Sequence, residues 1–217
     1  MTPKALVFDL DGTLADTDPV HFETYRTLLR GHGMQIDEAF YRARISGRSN
    51  AAALADLFPH LNAAEHARIA DEKEAAFRAA ATAMVPLAGL VALLDWAEAR
   101  GVKVALVTNA PRANAAHMLD VLGLAGRFPV QVLGEELPRA KPDPLPYVTA
   151  LQRLGVAAGE AVAFEDSVPG IRSAVGAGIW TAGLTTGQTP ETLLGAGAAI
   201  AIPDFTAEAL WRRLEAR

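Results

Sequence analysis

The stretch VFDLDGTLADTD, residues 7–18, carries a short apolar run straight into a cluster of acids. Val7 and Phe8 continue the run, Asp9 ends it, and Leu10, Asp11, Gly12 and Thr13 follow. An unpaired carboxylate at the rim of a core is costly, and two of them two residues apart repel each other. A strand-ending Asx turn would account for the residue types but not for that cost. A calcium loop fails on spacing: counted from Asp9, Gly12 is fourth rather than sixth, and Val20 stands where a bidentate Glu is needed.

Working outward, five or six apolar runs alternate with stretches of helical length. The runs are residues 5–8, 102–107, 130–133, 161–164, 179–184 and 198–202. Each is four to six residues long with little polar alternation, the pattern of strands buried on both faces of a parallel sheet. Between them, 87–100, 112–122 and 144–154 read as helices, each stopped by a glycine: Gly101, Gly123 and Gly155. This alternation predicts an α/β fold with a doubly wound parallel sheet, Rossmann-like in its core.

One interval breaks the rhythm. From 16 to 85 there is only helical periodicity: Phe22, Tyr25, Leu28 and Leu29, then 51–58, then 63–84. It is too long for an ordinary crossover. The expected organisation is a core of 1–15 and 86–217, with 16–85 as an inserted helical subdomain.

Composition narrows the function classes. The chain has 217 residues, 51% of them hydrophobic, a formal net charge of −5 and no cysteine. Disulfides, thiolate metal sites and cysteine nucleophiles are excluded. Scattered basic residues leave no footprint for nucleic acid, and no apolar stretch is long enough to suggest a membrane span. Met1-Thr2-Pro3-Lys4 leads directly into the first apolar run, too short for a signal peptide, and with no cysteine this fits a cytoplasmic enzyme; a monomer is the expected state.

Ligands of open α/β sheets bind outside the carboxyl ends of the strands. Here those ends carry Asp9 and Asp11, then Thr108 and Asn109, then Lys141 in AKPDP, then Glu165 and Asp166 in FEDS. Carboxylates suit Mg²⁺, while lysine and threonine donate to phosphate oxygens. Residues two apart on a strand point the same way about 7 Å apart, so Asp9 and Asp11 can flank one phosphoryl group. Gly12 permits the turn that brings backbone N–H groups to it. Plainer roles stand beside these. Thr108 and Asn109 could cap the helix near Pro111, Lys141 could be a solvated loop residue, and Glu165-Asp166 could prepare a helix start at Ser167.

In that order and at those spacings, DLDGT, VTN, KPDP and EDS resemble the haloacid dehalogenase-like superfamily of aspartate-nucleophile phosphotransferases, and the resemblance covers nearly the whole chain. The insertion after DGTLADT is similar to that family's helical cap of the first class, which would close over the crevice. The resemblance implies that Asp9 attacks phosphorus to form an aspartyl-phosphate and also binds Mg²⁺. Asp11 would protonate the leaving alcohol, then deprotonate water, with its backbone carbonyl on the metal. Thr108 would donate to the phosphoryl group, and Lys141 would neutralise it and hold Asp9. Asp166 would ligate Mg²⁺, as would Glu165 directly or through water.

In the cap, His21 matches a histidine of the sugar-phosphatase and β-phosphoglucomutase-like branch, with hinge packing as its alternative. The loop Ser46–Asn50, with Gly47, Arg48, Ser49 and Asn50, could face the substrate or be a plain interhelical turn. Lys73 occupies a phosphate-gripping place in related caps, although Asp71–Glu74 also reads as a solvated charged face. His32, His60, His66 and His117 read as surface residues, and Trp96, Trp180 and Trp211 as packing. The activity implied is a Mg²⁺-dependent phosphatase of a small phosphorylated metabolite, a sugar phosphate or phosphoglycolate-like compound. The alternatives are a β-phosphoglucomutase-like isomerase and a non-catalytic phosphate-binding regulator. The mutase branch carries G-x-S-R in the cap loop, whereas Asn50 follows Ser49 here.

Overall fold

The computed structural model of the chain describes residues 2–215 and divides into two compact units, Met1–Asp16 with Val85–Arg217, and Thr17–Met84. The first unit is built on one six-stranded parallel sheet. Its strands are β1 (Ala5–Phe8), β2 (Lys103–Thr108), β3 (Val130–Leu133), β4 (Ala161–Glu165), β5 (Trp180–Leu184) and β6 (Ile200–Ile202), in spatial order β3-β2-β1-β4-β5-β6. The chain leaves β1 toward β2 and β3, then returns to β1's other side for β4. That reversal opens a crevice beyond the carboxyl ends of β1 and β4. The register fixes what stands there: Phe8 pairs with Leu106 on one side and Phe164 on the other, and the next N–H, from Asp9, donates to the Phe164 carbonyl at 3.0 Å.

Both central strands are buried on both faces, as their unbroken apolar runs predict. One face stacks Phe8 on Phe164 with ring centroids 4.7 Å apart, and sets Phe205 against Phe164 at 5.3 Å. The other packs Val7, Ala105 and Ala163 against Tyr147, Ala150, Leu151 and Leu154.

Three strands start later than the apolar runs suggest. Val102, Ile179 and Ala198 look like first strand residues, yet each donates its N–H back into the preceding helix, to Ala97, Ala174 and Leu193. These are Schellman closures, in which the apolar residue after the helix-ending glycine packs on the last turn. At the other end, β2 and β4 run one residue further, taking in Thr108 and Glu165.

The second unit holds four helices among its described residues: α1 (Asp18–Gly31), α2 (Glu38–Arg44), α3 (Asn50–Leu57) and α4 (Ala63–Ala80). Tyr25, Leu29, Tyr41, Leu54 and Ile69 form the centre of its core. The short α2 escaped the sequence reading because in seven residues it buries only Tyr41. α4 stops at Ala80, short of the expected 84. In the first unit the helices are α5 (Leu90–Ala99), α6 (Arg112–Val121), α7 (Leu145–Leu154), α8 (Val168–Gly176), α9 (Pro190–Gly195) and α10 (Glu208–Glu215). Among the described residues no helix is long and apolar enough to cross a membrane.

α4 begins with a capping box: Asn62 Oδ1 accepts from the N–H groups of Ala64 and Glu65, and Glu65 accepts from the Asn62 N–H. Asn62→Ala should therefore lower the stability of this unit by about 1 kcal/mol. Urea unfolding followed by far-ultraviolet circular dichroism would show no shift if the box contributed nothing.

Candidate active site

The acids from β1 and β4 meet over one ammonium. Lys141 Nζ lies 2.6 Å from Asp9 Oδ1, 2.6 Å from Glu165 Oε1 and 2.7 Å from the Val107 carbonyl. Both the lysine and Glu165 are shut away from solvent, with side-chain exposures of 4% and 0%. The solvated-loop reading of Lys141 is thereby overturned. Asn109 fixes the approach of its loop, exchanging hydrogen bonds of 3.3 Å with the Lys141 backbone in both directions. Thr108 is buried at the end of β2, and its hydroxyl accepts from the Ala110 N–H at 2.9 Å. The capping alternative for Thr108 and Asn109 does not hold, since α6 starts after Pro111 without a side-chain cap. Ser167 does cap α8, accepting from the Gly170 N–H.

The turn after Asp9 is tightly bounded. Gly12 has φ +68°, and a Cβ placed on it would lie 2.2 Å from Asp166 Oδ2. Its carbonyl accepts from the Thr186 hydroxyl at 2.6 Å, which ties the turn to the loop beyond β5. Asp11 is half-buried in the same turn.

Negative charge exceeds positive charge here. Carboxylate oxygens of Asp9, Glu165 and Asp166 all lie within 4.8 Å of one another. Burial pushes the Asp9 carboxyl up to about 7 despite Lys141, whose charge opposes the shift, and Glu165 and Asp11 add to it. Asp166 is raised well above the carboxylate range by burial, and then by Asp9, Glu165 and Asp11. For Lys141, burial works against its charge, but Asp9 and Glu165 outweigh it and hold the ammonium up at about 12. A set of hard oxygen donors with surplus negative charge, in a site with only one lysine, fits a small divalent cation.

The other residues singled out from the sequence lie in the helical unit. His21, Asn50 and Lys73 come together in one network. Lys73 Nζ is 2.9 Å from His21 Nδ1 and donates to Glu74 Oε1 at 2.9 Å. Asn50 Nδ2 donates to the same Glu74 oxygen at 2.5 Å, and the Tyr25 hydroxyl donates to Asn50 Oδ1 at 2.7 Å. His21 stacks on Phe77 with centroids 4.1 Å apart. Lys73 and Glu74 are 3% and 8% exposed, so the solvated-face reading of Asp71–Glu74 holds for Asp71 and Glu72 but not for these two. Helix α4 turns both inward, where each satisfies the other's charge. Burial alone would raise Glu74, but Lys73 and the Asn50 amide hold it below the usual carboxylate range.

Gly47, Arg48 and Ser49 stand outside that network. Gly47 makes the turn at φ +72°, and Ser49 caps α3 by accepting from the Ala52 N–H. The Arg48 guanidinium donates to Asp56 and to the carbonyls of Arg44 and Ala52. Of the histidines read as surface residues, His66 is half-buried and its Nε2 lies 2.9 Å from the Phe58 carbonyl.

Tyr147, Glu74, Tyr25 and Thr186 were not legible as site residues. Tyr147 had the clearest signal: it shares the buried face of α7 with Ala150, Leu151 and Leu154, and a buried phenol needs a partner. Its hydroxyl donates to Glu165 at 2.6 Å.

With this geometry in view, comparison with known proteins is decisive for the family. The model of the haloacid dehalogenase-like hydrolases matches residues 3–178. The chain belongs to that family. It is thus a hydrolase, as its motifs imply. Within reach of the family, the chain is 33% identical over 181 residues to the phosphorylated carbohydrates phosphatase of Thermotoga maritima, covering 81% of this chain and 82% of that one. It is 35% identical over 213 residues to the validoxylamine A 7'-phosphate phosphatase of Streptomyces hygroscopicus subsp. limoneus, covering 96% of both. In fold it is similar to CbbY from Rhodobacter sphaeroides in complex with xylulose-(1,5)bisphosphate, with a TM-score of 0.83 and 26% identity over 94% of this chain and 95% of that one.

The contact between Gly12 and Asp166 makes a sharp test of the site. Gly12→Ala should cost about 1–2 kcal/mol in backbone strain. By displacing Asp166 it should also cut hydrolase activity about 100-fold. Normal turnover in the alanine variant would show that the turn does not need this close approach.

Proposed function

We propose that the chain is a Mg²⁺-dependent phosphatase of small phosphorylated metabolites, sugar phosphates foremost, that works through an aspartyl-phosphate. The observation that carries this reading is the buried ammonium of Lys141 held between Asp9 and Glu165 beside Asp166. A carboxylate at the end of a central strand, with its charge fixed in place, is an aimed nucleophile rather than a strand-ending turn residue. Asp9, Asp166, Glu165 and the Asp11 backbone carbonyl would hold the metal. Bound there, Mg²⁺ supplies the positive charge that the acids and a phosphoryl group both call for.

The chemistry of the chain's own residues has two halves. Asp9 attacks phosphorus, the bond to the leaving oxygen breaks, and Asp11 gives that oxygen its proton. Asp11 then takes a proton from water, whose oxygen attacks the same phosphorus and returns Asp9 as a free carboxylate with inorganic phosphate. Thr108 donates to the phosphoryl oxygens, and Asn109 keeps the Lys141 loop in place. Gly12 lets backbone N–H groups approach.

The mutase alternative needs a second phosphate held by a cation of the helical unit. Asn50 stands where the mutase-like arginine would lie, and its amide is engaged with Glu74 and Tyr25. The two cations that could replace that arginine are also engaged, Lys73 by Glu74 and Arg48 by Asp56. The phosphorylated carbohydrates phosphatase and the validoxylamine A 7'-phosphate phosphatase, to which the chain is similar, favour the same side.

The test is a phosphate-release assay of the purified chain on sugar phosphates, phosphoglycolate and nucleotides. Phosphate should appear in step with substrate loss, without any bisphosphate activator. It should stop in excess chelator, return with Mg²⁺ and be inhibited by Ca²⁺, whose larger shell distorts the site. Conversion of β-glucose 1-phosphate to glucose 6-phosphate with little free phosphate, and only after a bisphosphate is added, would establish the mutase instead.

A second measurement addresses the nucleophile. Asp9→Asn keeps the shape of the side chain but cannot attack phosphorus, so turnover should vanish while the far-ultraviolet spectrum stays unchanged. Near-wild-type phosphate release from this variant would sink the aspartyl-phosphate.

A further inference from the structure

Lys141 has three N–H bonds, and the protein occupies all three: Asp9 Oδ1, Glu165 Oε1 and the Val107 carbonyl. Two of those acceptors are carboxylates competing for one ammonium at the same distance of 2.6 Å. Glu165 is the stronger competitor by burial, being sealed from solvent, while the Asp9 side chain is 11% exposed. Something must keep Glu165 from drawing the ammonium to itself. Tyr147 is placed to do so. Its hydroxyl donates to Glu165 Oε1 at 2.6 Å, on the same oxygen that Lys141 contacts, and its ring lies 5.3 Å from the ammonium. A carboxylate oxygen takes about two such bonds, so the phenol meets half of that oxygen's demand.

The other oxygen is confined as well. Ser167 Oγ reaches Glu165 Oε2 only at 3.4 Å, and the Cα of Gly170 is so close that a Cβ would fall 1.9 Å from it. Glu165 therefore cannot rotate to find a substitute donor. Without the phenol hydroxyl its charge would be met only by Lys141 and the long Ser167 contact, at the expense of the bond that aims Asp9.

We infer that Tyr147 is a positioning residue, whose hydroxyl apportions Lys141 between Glu165 and the nucleophile Asp9. The catalytic consequence rests on the phosphatase reading above, whereas the apportioning itself does not. Tyr147→Phe removes the hydroxyl and keeps the ring in a fully buried place. In the phosphatase assay kcat should fall about 10- to 100-fold, the worth of a hydrogen bond to a buried charge, with KM within about twofold.

A second readout needs no turnover. The chain has only four lysines, Lys4, Lys73, Lys103 and Lys141, so lysine-¹⁵N spectra of the purified full chain without added metal are simple. The Lys141 ammonium resonance, assigned by its loss in Lys141→Arg, should shift and exchange faster with water in Tyr147→Phe. A resonance that does not change, or a Phe variant that does not fold, overturns the inference. So does a Phe variant with wild-type kcat on a substrate that the wild-type chain hydrolyses. A wild-type chain inactive on every ester, with the resonance shifted in the variant, defeats the phosphatase reading and leaves the apportioning standing.

Discussion

One ammonium among four carboxylates is the constraint on which the α/β unit turns. Asp9, Asp11, Glu165 and Asp166 cluster where β1 and β4 end, and Lys141 alone among the site residues opposes them. The positions follow from sheet geometry. Because Phe8 is in register with Phe164, Asp9 and Glu165 emerge side by side, and no loop rearrangement could separate them without breaking the two central strands. The sheet thus imposes the repulsion, and Lys141 offsets part of it. Burial first, and then the repulsion left over, keeps the Asp9 and Asp166 carboxyls raised, a state that favours anything bringing further positive charge.

The helical unit deals with buried charge differently. Lys73 and Glu74 are adjacent in sequence, both inside, and each is the other's partner. A pair that satisfies itself is costly to split, since either residue left alone would be an uncompensated buried ion. Tyr25, Asn50 and His21 complete the hydrogen bonding around it. Where the sheet unit leaves charge unbalanced at its crevice, this unit closes its own account internally.

Much of this was readable from residue order, and the parts that were not share physical causes. Short, mostly apolar runs marked every strand, and those of the two central strands, β1 and β4, are unbroken because that part of the sheet is covered on both faces. The errors at strand starts came from one ambiguity. An apolar residue after a helix-ending glycine suits both a Schellman contact and a strand, and at Val102, Ile179 and Ala198 the helix wins. The motif acids, Thr108 and Lys141 stood out because strand ends converge in this topology. Lys73 and Glu74 were harder. A run of Asp71, Glu72, Lys73 and Glu74 reads as solvated, and only the packing of α4 reveals which two turn inward. Tyr147 was invisible for the opposite reason, since an aromatic on a core face looks like packing until its hydroxyl is traced to Glu165.

The order of elements also bears on how the site comes into being during synthesis. β1 emerges first yet lies at the middle of the sheet, with neighbours that begin at Lys103 and Ala161. The contact between Asp9 and Lys141 spans 132 residues, and every such closure carries an entropic cost that local contacts avoid. Until β4 has left the ribosome, Asp9 has neither its lateral strand nor Glu165 beside it, and its carboxylate remains in water. The growing chain therefore carries the Asp9 carboxyl early in a hydrated form. The buried cluster of Asp9, Lys141 and Glu165 can therefore assemble only once β4 is available, long after β1 has been made.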